Sequence, residues 1–333
     1  MKALLSKVAG GPETLVLEEV ADPVPGPGEV RIAVKACAVN FPDVLVIQDL
    51  YQFKPQRPFA PGSEIAGVID MVGEGVTKWK VGDRVLTPTA SSGGMAELKV
   101  VDQNSPFALP DDRSYAEGAS LLLTYGTTIH ALLDRGDAKA GETMLVLGAA
   151  GGVGVSAIEL GKALGMRVVA AVSSEEKAEF CKSVGADAAV VYPRAPLDRD
   201  QQKALSAAFK DAVGAEGAHV VYDIIGGDYA DPAIRSIAWE GRYLVIGFTA
   251  GIPKLPLNLT LLKSCDVRGV FWGAAVARDP EGHARNVATL FDLWRQGKIN
   301  PKVTETFPLE RGGEAIAKLG SRQALGKLVV TMD

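Results

Sequence analysis

Met144-Leu145-Val146-Leu147-Gly148-Ala149-Ala150-Gly151-Gly152-Val153-Gly154 is an apolar run that ends in a glycine-rich turn and opens into helical sequence. Its frame, Ala149-x-Gly151-x-x-Gly154, is the dinucleotide fingerprint with Ala in the first position. Small residues let the backbone turn tightly and approach a pyrophosphate, whose charge rests on the amides and macrodipole of the following helix. Alone, such a match is weak and also fits a merely tight turn between strand and helix. With a strand before it and a helix after it, Ala149, Ala150, Gly151, Gly152, Val153 and Gly154 are expected to cradle a dinucleotide.

Outward from this loop, apolar runs at 144–147, 167–172, 188–192, 220–225, 243–246 and 267–272 alternate with helical stretches such as 155–164 and 175–184. Nearly continuous apolar strands separated by helices predict an α/β unit with a doubly wound parallel sheet. Ala157 and Gly161 allow the first helix to pack closely, and Ala178, Cys181 and Val184 share one face of the second, which makes Cys181 a core thiol. The strand at 167–172 runs into Ser173-Ser174, with no carboxylate to hold a ribose 2′-hydroxyl. Ser174 and Lys177 offer a hydroxyl and a cation suited to a 2′-phosphate, and Tyr192 adds a phenolic donor, so NADPH is expected over NADH. Ser174 also fits a helix cap, and Lys177 a solvated face.

Residues 1 to about 120 read differently, as short strands punctuated by Gly and Pro, the pattern of a β-rich unit. Val30, Ile32, Val34 and Ala36 alternate with Arg31, Ala33 and Lys35, giving one buried face. Beyond residue 275 come a helix at 283–296 and strands at 303–307 and 327–332. A tail of roughly 58 residues makes a marginal core alone, so its return to the first domain is expected. The predicted domains are therefore 1–120 with 275–333, and 121–274.

The 333 residues include 35 Lys+Arg against 40 Asp+Glu, so no basic excess exists for a nucleic acid or an anionic membrane. Three widely spaced cysteines fit free thiols in a reducing compartment, and no leader or membrane segment is read at the N-terminus, so a cytoplasmic location is expected. Only three histidines occur, His130, His219 and His283, in three separate segments.

Taken together, Asn40-x-x-Asp43, Pro61-Gly62-Ser63-Glu64-x-Ala66-Gly67, Val81-Gly82-Asp83-Arg84-Val85, Leu123-Thr124-Tyr125-Gly126-Thr127, the loop at 148–154 and Gly241-Arg242 resemble the zinc-independent quinone oxidoreductase group of the medium-chain dehydrogenase/reductase superfamily. The resemblance implies a GroES-like catalytic domain interrupted by a Rossmann domain, an active site in the cleft between them, and a homodimer. Zinc-dependent members carry a Cys in the segment of Asn40 and a His at the position of Ser63. Cys37, three residues along a strand from Asn40, is expected to face away. No closely spaced cysteines mark a structural zinc, so a metal-free enzyme is expected.

By the same resemblance, Asn40 and Asp43 would line the nicotinamide end of the cleft and Thr124 would contact the cofactor. From the residues alone, Asp43 is equally a carboxylate capping the turn after Phe41-Pro42. Tyr51 falls where related reductases carry a tyrosine that binds the substrate oxygen or donates a proton, and it is equally an aromatic pocket wall. The group's R-x-G-x-Y reads Ile47-Gln48-Asp49-Leu50-Tyr51 here, without the Arg and the Gly. Gly247 and Phe248, after the fifth apolar run, are expected near the nicotinamide, and Lys327 is either a cofactor contact or a solvated lysine. The run 267–272 is expected to be the last strand and to pair across a dimer.

The expected activity is NADPH-dependent hydride transfer to a small-molecule quinone or other α,β-unsaturated carbonyl, with donors of the protein steadying the developing oxyanion. The alternatives are an enoyl- or acryloyl-CoA-type reductase and a non-catalytic nucleotide-binding redox sensor.

Overall fold

The computed structural model describes residues 1–89 and 92–332. The chain divides into one unit formed by Met1–Leu123 with Pro301–Asp333 and a second formed by Thr124–Asn300.

In the second unit six parallel strands lie in the order Ala188–Val191, Arg167–Val172, Thr143–Leu147, Ala218–Asp223, Ile237–Val245, Asp266–Gly269. Numbered along the chain this is 3-2-1-4-5-6, the doubly wound arrangement whose ligand crevice opens at the carboxyl ends of the strands, where the order reverses. Met144 through Leu147 are fully buried, as a central strand covered on both faces requires. The helix Gly152–Ala163 returns over them, and a Cβ on Gly161 would stand 2.6 Å from Met144 Cε, so the small residue is what permits the contact. Cys181 is fully buried on the helix Glu175–Val184.

In the first unit a seven-stranded sheet is built on Glu29–Ala38, where Val30, Ile32, Val34 and Ala36 are buried. Glu64–Val72 and Leu98–Asp102 pair with it antiparallel. So does Lys327–Thr331, which also pairs in parallel with Val303–Pro308, so the tail completes this sheet.

Three expectations are corrected. The second crossing between units falls after Asn300, not near 275. The helix Pro280–Arg295 has Val287, Leu290 and Trp294 buried, Asn286 Nδ2 donates to Asp134 at 2.8 Å, and the following Asn300 N donates to Glu159 at 2.9 Å, all within the second unit. The last strand ends at Gly269, and Trp272 opens a helix, Trp272–Arg278. The β-rich region contains a short helix, Phe41–Val46, too brief to show a period in sequence.

Among the described residues no helix is long and apolar enough to cross a membrane.

Candidate active site

The glycine-rich loop sits at the carboxyl end of the first Rossmann strand. Gly151 is the extended N-cap residue (φ −83°, ψ 173°) of the helix Gly152–Ala163 and offers no side-chain acceptor to the first-turn amides. A Cβ on Gly154 would lie 2.5 Å from backbone atoms of Ala149, so the turn closes only around glycine. Amides without a side-chain cap, a helix N-terminus and an open approach fit the pyrophosphate of a dinucleotide.

At the tip of the adjacent strand Ser174 Oγ accepts from Lys177 N at 3.3 Å, so Ser174 does cap the helix. Lys177 Nζ donates to Ser173 Oγ at 3.3 Å, which adds a hydroxyl that sequence reading passed over. The two exposed carboxylates of the same first turn, Glu175 and Glu176, oppose the cation there. Tyr192 lies at the next strand tip, but its ring is buried in the core 4.5 Å from that of Tyr229.

Gly247 N donates to the carbonyl of Asp223 at 3.2 Å, and Phe248 is half exposed. Asp223 was missed in the sequence. Its Oδ1 accepts from Ile225 N and Gly226 N at 2.9 and 2.8 Å, and its Oδ2 accepts from Tyr243 Oη at 2.6 Å. The acid thus shapes the loop after the fourth strand, and an Asp ending an apolar run just ahead of Gly226-Gly227 is the signal that finds it. Thr124 is buried, and its carbonyl accepts from Thr128 Oγ1 at 2.9 Å and Ser156 Oγ at 3.2 Å. Thr128 Oγ1 also lies 2.7 Å from Ser156 Oγ and 2.9 Å from Tyr222 Oη, a buried hydroxyl network without a sequence motif.

The first unit holds the other candidates in a different way. Asn40 and Asp43, expected at the nicotinamide end of the cleft, are both buried. Asn40 N donates to Asp43 Oδ2 at 2.8 Å at the start of the helix Phe41–Val46, the capping role. Asp43 Oδ1 accepts from Gly62 N at 3.1 Å and Ser63 Oγ at 3.0 Å. Oδ2 thus caps the helix, and Oδ1 braces the turn at Gly62 and Ser63. That turn needs glycine: Gly62 has φ +105°, and a Cβ there would lie 2.6 Å from Cys37 Sγ.

Lys327 is neither solvated nor displayed for a cofactor. Its buried Nζ donates to Asn40 Oδ1 at 2.6 Å and to the Val39 carbonyl at 3.2 Å, and lies 3.8 Å from Glu64 Oε2. Glu64 Oε1 accepts from Leu123 N at 2.8 Å, and Oε2 accepts from Asn40 Nδ2 at 3.4 Å. Burial raises Glu64 to about 7 against the pull of Lys327, and raises Asp43 to about 6 against its three donors. Burial likewise lowers Lys327, opposed by Glu64.

Cys37 is fully buried, and burial, then Asp43 and Glu64, push its thiol well up. Ser63 is bound to Asp43 and Asn40 to Lys327, at the positions that zinc-dependent relatives give to ligands. His130 pairs with Asp134, His219 accepts from Thr143 N and His283 lies edge-on to Trp272. Among the described residues no group of three or more His, Cys, Asp or Glu is placed to hold a metal.

Among the first unit's candidates Tyr51 stays accessible. It is half-buried against the first unit's core, 6.1 Å from the ring of Phe53, and burial, then Asp43, raise its phenol above the ordinary value. Two surface hollows of about 590 and 420 Å³, lined by Lys210, Arg235 and Lys263 and by Trp79, Arg84 and Asp111, include none of the expected site residues.

Residues 26–111 match the alcohol dehydrogenase GroES-like domain and residues 152–288 match the zinc-binding dehydrogenase family. The chain is 36% identical to bovine quinone oxidoreductase-like protein 2 over 96% of its own length and 89% of the bovine chain. A probable oxidoreductase from Mycobacterium abscessus is 36% identical, with a TM-score of 0.87 over 100% of this chain and 99% of that one. The quinone oxidoreductase of Escherichia coli, solved in complex with NADPH, is 27% identical, with a TM-score of 0.88 and 100% of both chains covered.

Proposed function

The chain belongs to the zinc-independent quinone oxidoreductase group of the medium-chain dehydrogenase/reductase superfamily, and on that footing we propose that it is an NADPH-dependent reductase of quinones or other α,β-unsaturated carbonyls. The observation that carries the cofactor choice is the tip of the second Rossmann strand, where Lys177 Nζ and Ser173 Oγ stand 3.3 Å apart and the strand itself ends without a carboxylate. The E. coli structure with NADPH supports the same choice.

The chemistry that NADPH supplies when bound is a hydride. The first-turn amides of 152–154 would hold its pyrophosphate, and Lys177 and Ser173 would hold its 2′-phosphate. Tyr51 carries its proton at neutral pH as any phenol does, and burial, then Asp43, push the phenolate still further out of reach. Its O–H therefore donates to the carbonyl oxygen of the acceptor as negative charge develops there. Tyr51 and Phe53 offer apolar faces to a flat conjugated acceptor. Asn40 and Asp43 act one layer behind, as the brace of the turn, not on the acceptor itself.

The same reading makes the protein a cytoplasmic homodimer. Asp266–Gly269 is the terminal strand of its sheet; Val267 on it, Leu257, Leu261 and Leu262 in and before the preceding helix Asn258–Lys263, and Phe271 just after it are exposed. An apolar edge of this kind suits a self-complementary contact.

The test is steady-state reduction of a p-quinone, an enone and crotonyl-CoA at one NADPH concentration. Turnover of the first two above the third supports the proposal. Preference for the thioester assigns an acyl-CoA reductase, and turnover of none rejects the enzyme.

A further inference from the structure

The loop that carries Tyr51 lacks the glycine of its motif, yet it adopts a glycine-like backbone. Asp49 stands in that position with φ 59°, the left-handed region that a Cβ disfavours and that Asp tolerates better than most residues. Its carboxylate does not point idly into solvent. Asp49 Oδ1 accepts from Arg57 Nη1 at 2.7 Å, Arg57 Nη2 donates to the Ile47 carbonyl at 2.9 Å, and Arg57 Nε donates to Ser6 Oγ at 3.3 Å. The guanidinium also lies 5.4 Å from the centroid of the Phe59 ring. Its side chain is 19% exposed, so the fork is largely shielded from competing water. One planar cation thus ties both ends of the 47–49 turn to Ser6, at the end of the strand Lys2–Ser6, and to the segment before Pro58.

We propose that Arg57 is the positioning residue for Tyr51, holding Asp49 in the conformation that glycine would adopt unaided. The inference rests on the reading of Tyr51 as the group that meets the acceptor oxygen. Ile47 takes the place of the motif's arginine, and Arg57 brings a guanidinium to the same turn from ten residues further along the chain.

Four proteins test it: wild type, Arg57→Ala, Asp49→Gly and the double variant Asp49→Gly/Arg57→Ala. Arg57→Ala leaves Asp49 untethered in a disfavoured conformation, and kcat/KM for the acceptor should fall about tenfold while KM for NADPH stays within about twofold. Asp49→Gly needs no tether, so it and the double variant should both lie within about threefold of wild type. Amide hydrogen exchange of peptides spanning 47–53 should quicken in Arg57→Ala and return in the double variant, a readout independent of turnover. Arg57→Lys should resemble Arg57→Ala, since an ammonium cannot reproduce the fork.

If the wild type reduces no acceptor, the reading of Tyr51 fails, and exchange alone then decides whether Arg57 orders the turn. Unchanged exchange in Arg57→Ala overturns the inference. So does a double variant as impaired as Arg57→Ala, or a loss shared equally between acceptor and NADPH. Should Arg57→Ala not fold, the double variant still discriminates, because the inference requires it to fold and turn over.

Discussion

Lys327 Nζ donates to Asn40 Oδ1 at 2.6 Å across 287 residues of sequence, with both side chains buried. The bond ties the closing strand to the turn that opens the helix Phe41–Val46, and Glu64, 3.8 Å from the same ammonium, supplies the counter-charge. Asn40, Glu64 and Lys327 thus form one buried polar unit, with Asp43 bracing it from the backbone of Asn40.

Removing one partner of such a unit costs more than the pair contributes, because the other charge is left in a low-dielectric interior. Lys327→Met should destabilise the protein by roughly 3 kcal/mol at mildly alkaline pH. The double variant Lys327→Met/Glu64→Gln should lose less than the sum of the two single losses, since no lone charge remains. Urea denaturation of the four proteins measures this, and strict additivity would show that the two groups do not interact.

The carboxyl of Glu64 holds its proton up to about 7 in the folded chain, against an ordinary 4.5. Between those values the folded state binds more protons than the unfolded state. The contribution of the carboxyl to stability is therefore complete below the lower value and is lost as pH rises through the upper one. The deficit of Glu64→Gln relative to wild type should accordingly be largest near about pH 5 and shrink toward about pH 8. Paired thermal melts across that range check it, and a deficit that grows with pH contradicts the burial argument.

A methyl group on residue 154 has no room, because the atoms it would meet at 2.5 Å are backbone atoms of Ala149. Backbone does not yield as the end of a flexible side chain does. Gly154→Ala should lower the melting temperature and weaken NADPH binding by at least about tenfold, since the displaced turn is the one proposed to face the pyrophosphate. Fluorescence titration with NADPH reads the second effect, and unchanged affinity would place the dinucleotide elsewhere.

Lys177→Ala separates the two nicotinamide cofactors. Loss of the cation proposed to face the 2′-phosphate should raise KM for NADPH about tenfold and move KM for NADH less than about twofold. Equal effects on both would reduce Lys177 to the neighbour of Ser173 that it also is.

What was legible in the sequence was what rests on local chemistry. Met144 to Leu147 announce a central strand, Gly161 a close helix contact, Ser174 a helix cap, and each is realised. Asp43 was legible as a cap for the same reason, its partner being three residues away. Lys327 was not, because its partners lie 263 and 287 residues distant and a lysine beginning a strand ordinarily stays in water. The helix Pro280–Arg295 displayed an apolar stripe without saying which unit would cover it. Tyr192 looked like a donor at a strand tip, and only packing against Tyr229 shows where its ring goes.

The most direct test of the central claim is NADPH oxidation by purified protein of measured metal content, dialysed against a chelator, with a p-quinone as acceptor. Undiminished turnover in protein holding far less than one zinc per chain, with NADPH preferred to NADH, is the expected result. Activity that disappears on dialysis and returns with added zinc, or a preference for NADH, would contradict it.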